Sequence, residues 1–440
     1  MKYWHSVTLD KDACKGCTNC LKRCPTQAIR IQNGKAKILK ERCIDCGECI
    51  RVCPYHAKKA VTDGFEILEQ YQYTIALVAP TYCSQFSKAD NIDLMLTVLK
   101  RIGFDDVFEV ARGAELASMK TRELLQSGEL LKPTISSACP AVVKLIAVRF
   151  PNLIGNIIPL RSPMELAAEK ARAEAVRKTG LAPEEIGVIF ISPCAAKATE
   201  IKSSLTVSSS HVDGVISIKD TYLKIAQEIN KIPEAEIEHL SHSGKEGILW
   251  ATSGGEAAAS GVERRVAVDG IHNVIALLED IEDGKLDDID YVEALACTGG
   301  CVGGPLVAEN NFVAESRLKR LCRELPYELE ELGEDINAFW DRPLVYRPVM
   351  NLDEDIQKAM MKIVRLEEIY ERLPKLDCGS CGSPSCRALA EDIVRGYAQE
   401  TDCIFKLRER ITALAREMVE LDGGERSGGG PDGKKKQEEQ

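Results

Sequence analysis

Short runs of consecutive apolar residues punctuate the chain, and each stops at a residue that breaks it. Ile75-Ala-Leu-Val-Ala79 ends at Pro80, Ile186-Gly-Val-Ile-Phe-Ile191 runs up to Cys194, and Tyr291-Val-Glu-Ala-Leu-Ala296 leads directly into Cys297. Such bounded runs predict strands buried on both faces. Between them the pattern becomes amphipathic, as over 165–179. Alternation of this kind predicts an α/β sheet whose ligand site lies beyond the carboxyl ends of the strands. Farther on, Ile356, Met360, Ile363 and Leu366 predict a helix within 352–370. Leu389, Ile393 and Tyr397 predict a second over 387–398, and Leu407, Ile411, Leu414 and Met418 a third. From Gly423 to Gln440 the chain is Gly-, Lys- and Glu-rich with no large apolar residue to bury, which predicts disorder.

Composition narrows the class. A chain of 440 residues with 45% hydrophobic content can build two or three domains with a real core. No basic segment followed by an apolar stretch opens it, and no apolar run is long enough to span a bilayer, so neither secretion nor a membrane partner is expected. A formal net charge of -11 disfavours nucleic acid as a partner. The expected location is cytoplasmic. In that compartment eighteen cysteines point to metal rather than disulfides.

Eight of the cysteines form an internal duplication. Cys14, Cys17, Cys20 and Cys24-Pro25 are repeated 29 residues later by Cys43, Cys46, Cys49 and Cys53-Pro54. Each run matches the bacterial ferredoxin pattern, in which three cysteines of one loop hold a cubane and the fourth crosses to the other cluster. This assigns Cys14, Cys17, Cys20 and Cys53 to one 4Fe-4S cluster and Cys43, Cys46, Cys49 and Cys24 to a second. Structural zinc sites would not need the tripled spacing. A C-terminal quartet, Cys378, Cys381, Cys386 and Cys403, is less stereotyped, and both a 4Fe-4S cluster and zinc stay open for it.

Three further motifs carry the most chemistry: Thr134-Ile-Ser-Ser-Ala138-Cys139-Pro140, Ser192-Pro-Cys194-Ala-Ala-Lys197-Ala-Thr-Glu200 and Cys297-Thr-Gly-Gly-Cys301-Val-Gly-Gly304. Together they resemble the signature segments of the FeFe-hydrogenase catalytic domain. The resemblance implies that Cys139, Cys194, Cys297 and Cys301 ligate a 4Fe-4S cluster. It also implies that Cys301 bridges to a diiron subsite carrying carbon monoxide, cyanide and a bridging dithiolate. Lys197 stands where the family has a lysine that hydrogen-bonds a cyanide, a suitable use of a compact ammonium against a buried anion. Pro80 and Thr81 occupy a loop that in the family approaches the other cyanide. The glycines at 299, 300, 303 and 304 would let backbone approach a bulky cofactor. With sixteen cysteines assigned, Cys83 and Cys322 remain, and isolated cysteines among apolar neighbours read as core.

Departures from the family pattern fall on proton handling and cofactor surroundings. Ala138 stands where the family has a cysteine whose thiol passes a proton to the amine of the dithiolate bridge, and a methyl carries none. Glu123 retains one relay acid on the helix after Gly113-Ala-Glu115, Lys120 stands where another acid is expected, and Ile158 replaces a relay serine. Ser192 and Leu295 replace methionines beside the diiron unit. Losing a positioned proton donor costs roughly 10²- to 10⁴-fold in rate, part of which a water in the freed space would recover. Turnover is therefore expected to be slow.

These readings divide the chain into a ferredoxin-like α+β domain (1–66), an α/β catalytic domain (67–350), a small helical cluster domain (351–422) and a disordered tail (423–440). They imply three or four 4Fe-4S clusters in all. The resemblance implies an enzyme that interconverts dihydrogen with protons and electrons, tuned for sensing hydrogen. A ferredoxin-type redox partner, a downstream signalling protein and hydrogenase maturation proteins would be its partners. Two alternatives stand beside it: a metabolic ferredoxin-dependent hydrogenase, and an iron-sulfur assembly or electron-transfer protein without diiron. Thr252-Ser-Gly-Gly-Glu256 lacks the Gly-Lys-Ser/Thr ending of a phosphate-binding loop and is expected to turn the chain near the cofactor.

Overall fold

The computed structural model describes residues 3–87, 91–327 and 336–425. They form two compact units: Met1–Ala28 with Lys35–Met350, and Ile29–Gly34 with the chain from Asn351 onward. The first strands are β1 (Val7–Leu9), β2 (Ile29–Gln32), β3 (Lys35–Ile38) and β4 (Lys58–Ala60). In the first unit β1 runs antiparallel to β4 with Val7 opposite Ala60.

The cysteine duplication is written into the backbone. Left-handed conformations occur in pairs 29 residues apart: Gly16 and Asp45, Thr18 and Gly47, Gln27 and His56, the last pair at φ 50° and 49°. Side chains with a Cβ pay for that region. Its repetition at equivalent positions, glycine or not, shows that both cysteine loops impose one geometry. A short helix follows each loop, Asn19–Lys22 and Glu48–Arg51.

The rest of the first unit holds two parallel sheets where the sequence suggests one. In the larger, the order is β6 (Asp106–Glu109), β5 (Tyr73–Val78), β8 (Ile186–Ser192), β9 (Gly214–Ser217). Residues alternate between two cores: Ile75, Leu77, Val188 and Phe190 pack with Leu166 and Ala167, while Ala76, Val78, Ile189 and Ile191 pack with Met95, Leu96 and Leu99. Both faces are covered, which is why the strands read as unbroken apolar runs. Helices Val110–Ser127 and Pro163–Thr179 meet at Gly113, where a Cβ would lie 2.2 Å from the Pro163 carbonyl. The smaller sheet has the order β10 (Arg265–Asp269), β11 (Tyr291–Leu295), β7 (Thr134–Ile135). The segments bearing Pro80, Cys139, Cys194 and Cys297 follow the carboxyl ends of β5, β7, β8 and β11.

In the second unit, helices Ile356–Arg372 and Cys386–Val394 pack around Leu366, Ile369, Leu373 and Leu389, with Cys386 and Cys403 in the same core. The first begins at Ile356 because Asp355 caps it, accepting from the amides of Gln357 and Lys358. The helix expected over 387–398 ends at Val394, since Gly396 turns left-handed at φ 79° and leaves Tyr397 exposed. From β2, Arg30 forms a buried bidentate pair with Asp392, at 2.5 and 3.0 Å. Helix Ile404–Glu425 closes the described chain. It includes Gly423–Glu425 of the tail expected to be disordered, and 426–440 lie outside the described residues. Among the described residues, no helix is long and apolar enough to cross a membrane.

Candidate functional site

The N-terminal thiols act on one another across the two repeats, as where burial raises Cys49 and both Cys24 and Cys20 add to it. Burial raises the pKa of Cys20, and Cys53, Cys17 and Cys14 add to it. Burial likewise raises Cys46 well above its ordinary value, with Cys24, Cys49 and Cys43 adding to it. The repeats share a detail: Cys24 Sγ accepts from the amide of Ala28 at 3.2 Å and Cys53 Sγ from that of Ala57 at 3.3 Å. Lys58 Nζ is buried with no hydrogen-bond partner among the described residues, and its charge acts on Cys20, Cys24 and Cys49. An orphaned ammonium among thiols fits a pair of anionic cubanes, which would supply the missing counter-charge.

Beside the second set lies a buried network that sequence spacing does not reveal. His5 Nδ1 is 2.8 Å from Asp45, whose carboxylate also lies 3.5 Å from Lys144 Nζ. Burial pushes Lys144 down to about 8 although Asp45 opposes the shift. Cys43 Sγ approaches Asp45 at 3.8 Å, and the donor atoms of His5, Cys43 and Asp45 lie within 4.8 Å of one another.

The catalytic-domain thiols converge from both sheets. Cys301 is exposed as a residue, yet desolvation around its Sγ raises the thiol well above its usual value, and Cys194, Cys297 and Cys139 push it further. The four are not disulfide-bonded. Cys139 and Cys194 are the N-caps of helices Pro140–Arg149 and Ala195–Lys202, where the helix dipole favours a thiolate, but burial outweighs it and raises both thiols, Cys194 to about 12. Cys297 Sγ accepts from Arg51 Nη2 at 3.1 Å. Burial opposes the charge on Arg51, but the Cys297 thiol and Glu48 hold it. Lys197 is largely buried and paired with Glu200 at 2.7 Å; burial opposes its charge, and Glu200 and Cys194 raise its pKa. Thr81 is fully buried, and its hydroxyl has no partner among the described residues. Convergent thiols, two retained cations and an orphaned hydroxyl fit a thiolate-held cluster with polar ligands.

Leu295 and Ser192 are buried, and Ser192 Oγ bonds the backbone of Cys194, accepting from its amide at 3.0 Å. Ile158 sits in an apolar core, as do Cys83 and Cys322. The glycines of the Cys297 loop accommodate protein backbone: a Cβ at Gly303 would lie 2.1 Å from the Thr298 carbonyl, at Gly304 2.2 Å from that of Pro193, and at Gly300 2.8 Å from the Ser253 amide. Their role is to let the loop fold on itself and against its neighbours.

Glu123 is not brought to the thiols. It is exposed and pairs with Lys120 at 2.9 Å. The inward acid of that helix is Glu115, which burial pushes up to about 7 and whose carboxylate accepts from the Gly244 amide at 2.6 Å. A second set of buried acids lies next to Ala138. The Ala138 amide donates to Ser136 Oγ at 3.1 Å, and Ser136 Oγ donates to Glu256 Oε1 at 2.6 Å. Tyr291 OH donates to the same oxygen at 2.7 Å. Glu256 Oε2 is buried with no partner among the described residues. Burial raises the pKa of Glu256; burial and then Glu256 push Glu293 up to about 8, although the Ala257 and Gly254 amides bond its carboxylate. Behind Glu293 the next charge is Asp269, at the partly exposed end of β10. One signal was available: Glu293 is the lone acid inside the apolar run of β11.

Comparison with known proteins agrees with this chemistry. Residues 72–264 and 221–305 match the family described as iron only hydrogenase large subunit, C-terminal domain. Residues 6–54 match a 4Fe-4S dicluster domain, and 373–405 an Fe-S cluster family. The chain is 24% identical over 286 residues to iron hydrogenase 1 of Clostridium pasteurianum, covering 53% of this chain and 50% of that protein. It is also 24% identical over 361 residues to the periplasmic Fe hydrogenase large subunit of Nitratidesulfovibrio vulgaris, covering 68% and 86%. Thus it spans about half the length of the first relative. A variant of the FeFe-hydrogenase HydA1 from Chlamydomonas reinhardtii aligns with a TM-score of 0.49 at 16% identity, over 64% of this chain and 99% of that one.

Proposed function

Because the chain belongs to the iron-only hydrogenase family, its model spanning 72–305, we propose that it interconverts dihydrogen with protons and electrons, 2H⁺ + 2e⁻ ⇌ H₂. The observation that carries this reading is the convergence of Cys139, Cys194, Cys297 and Cys301 beside Lys197 and the unpartnered Thr81 hydroxyl. The four thiolates would hold a 4Fe-4S cluster, with Cys301 shared with a diiron unit. When bound, that unit supplies the cleavage and formation of the H–H bond. Lys197 and Thr81 offer donors to its polar ligands, and Pro80 shapes the same loop.

Electrons would enter through the clusters of the two N-terminal thiol sets, with Arg51 bonded to Cys297 and interacting electrostatically with Cys46. A ferredoxin-type protein is the proposed donor or acceptor. A cluster at Cys378, Cys381, Cys386 and Cys403 would add a further redox group. Eighteen thiols suit the reducing cytoplasm.

Protons cannot use a thiol at position 138. The chain's own alternative is Ser136, Glu256 and Glu293; burial raises both carboxyls, and Glu293, pushed up to about 8, suits donation near neutral pH. The gap between the Ala138 methyl and any reacting group needs a water, and that step slows turnover. A slow enzyme with intact ligands suits a hydrogen sensor reporting to a protein partner. The buried glutamates favour a second reading, a metabolic hydrogenase with a rerouted proton path.

Infrared spectroscopy on protein reconstituted anaerobically and loaded with a synthetic diiron precursor tests the activity. Carbonyl and cyanide bands that shift under hydrogen support it. Absence of bands with all cubanes present would favour an electron-transfer or assembly role. Turnover rate then separates sensor from metabolic enzyme.

A further inference from the structure

The last helix, Ile404–Glu425, leaves the second unit's core at Cys403, and none of its residues from Ile404 to Leu421 is buried. Its apolar residues are ordered. Ile404, Leu407, Ile411, Leu414, Met418 and Leu421 recur at spacings of 3, 4, 3, 4 and 3, and each is at least 42% exposed. Phe405 and Val419 lie off this line. The strip covers about 26 Å at a 1.5 Å rise per residue. A helix packing on a globular core shows a wider stripe; a strict 3.5-residue period is the seam of two helices.

Flanking charges select the partner and its direction. With Ile404, Ile411 and Met418 at the first heptad position and Leu407, Leu414 and Leu421 at the fourth, the seam is flanked by Arg408 and Ala415 on one side and Arg410 and Glu417 on the other. We propose that this helix pairs with the same helix of a second copy of the chain, antiparallel. The layers are then Ile411 on Leu414, Leu407 on Met418 and Ile404 on Leu421. Arg410 of each copy falls opposite Glu417 of the other, so one two-fold axis makes two ion pairs. In a parallel pair Arg410 would face only Ala415. Neither Arg410 nor Glu417 has an ion-pair partner among the described residues, whereas Lys406 and Glu409, off the seam, pair within the helix at 2.7 Å.

The test is sedimentation equilibrium of the full chain with its clusters reconstituted anaerobically. The wild type is expected to dimerise in the micromolar range. Arg410→Glu and Glu417→Arg each turn two attractions into two repulsions and should weaken the dimer roughly 30-fold. The double variant should restore it, and Leu414→Lys should leave a monomer. These exposed substitutions should leave iron content and helicity unchanged, which checks folding. A wild type that stays monomeric at all concentrations overturns the proposal, as does a dimer that survives Leu414→Lys. A Glu417→Arg dimer as tight as wild type, or a double variant that is not restored, overturns the antiparallel pairing.

Discussion

Glu256→Gln separates proton supply from every other property of the site. The substitution keeps the shape of the network: the amide oxygen still accepts from Ser136, now 2.6 Å from Oε1, and from Tyr291, now 2.7 Å away. The amide nitrogen takes the place of Oε2, which already lacks a partner among the described residues. One orphaned polar atom replaces another, each costing about 1–3 kcal/mol, so net stability should barely change. What is lost is the exchangeable carboxyl proton, and hydrogen evolution should fall roughly 10²- to 10⁴-fold. The assay is hydrogen evolution from a reduced viologen between pH 5 and 9, with iron content and infrared bands confirming that the site is loaded. In an Ala138→Cys background, a thiol gives protons a second way in, and the same Glu256→Gln change should cost far less than in the wild type. Because Glu293 titrates near 8, wild-type evolution should decline as pH rises through that value, when the acid loses its proton. Turnover of Glu256→Gln within threefold of wild type across this range would refute the route.

Three other outcomes follow from the geometry. Arg51→Met removes a charge-assisted bond to Cys297 and should lower the potential of the cluster held there by roughly 60 mV, the one-electron equivalent of about 1.4 kcal/mol, read by redox titration of its electron paramagnetic resonance signal. Glu293 holds its proton in the folded chain up to about 8 but loses it near 4.5 when unfolded, so its contribution is complete below 4.5 and disappears as pH rises to 8. Denaturant titrations should therefore show wild type losing stability relative to Glu293→Gln across that window, by an upper limit on the order of a few kcal/mol. Asp392→Ala removes the buried carboxylate that pairs with Arg30 and should cost the second unit about 3 kcal/mol in chemical denaturation, while a paired exchange to apolar residues should cost much less.

The duplicated cysteine loops were legible because their signal is local. A cysteine loop binds a cubane only at fixed spacing, and the duplicated spacing reappears as paired left-handed residues such as Gln27 and His56. The central strands were legible for a related reason: β5 and β8 are buried on both faces and read as apolar runs. The second sheet was not, because β7 has only two residues and β10 alternates exposed and half-buried positions. Proton-handling residues were the least legible. Glu123 and Glu115 lie eight residues apart on one helix, and only tertiary packing leaves the first paired with Lys120 at the surface and the second buried near Gly244. Glu256 became visible only when the turn at Gly254 aimed it at Ser136 and Tyr291, which belong to other segments.

Depth of burial also bears on which reading of the site prevails. A chain that had lost its chemistry would gain stability by replacing Glu256 and Glu293, since each is a carboxyl kept from water with its pKa raised. Likewise Lys58 is an orphaned cation whose burial is favourable only beside negative charge. The two carboxyls are costly to a scaffold that carries electrons alone and useful to an enzyme that must bring both electrons and protons to one place, whereas cubanes would satisfy Lys58 under either reading. On the proposed reading the Ala138 methyl, directly before Cys139, would interrupt the proton side alone. If the interruption limits the rate, Ala138→Cys should raise turnover while leaving hydrogen affinity unchanged, the behaviour of a receptor slowed at a single step. If Ala138→Cys leaves turnover unchanged and Glu256→Gln abolishes it, the rerouted path already carries the full flux, and the metabolic reading holds.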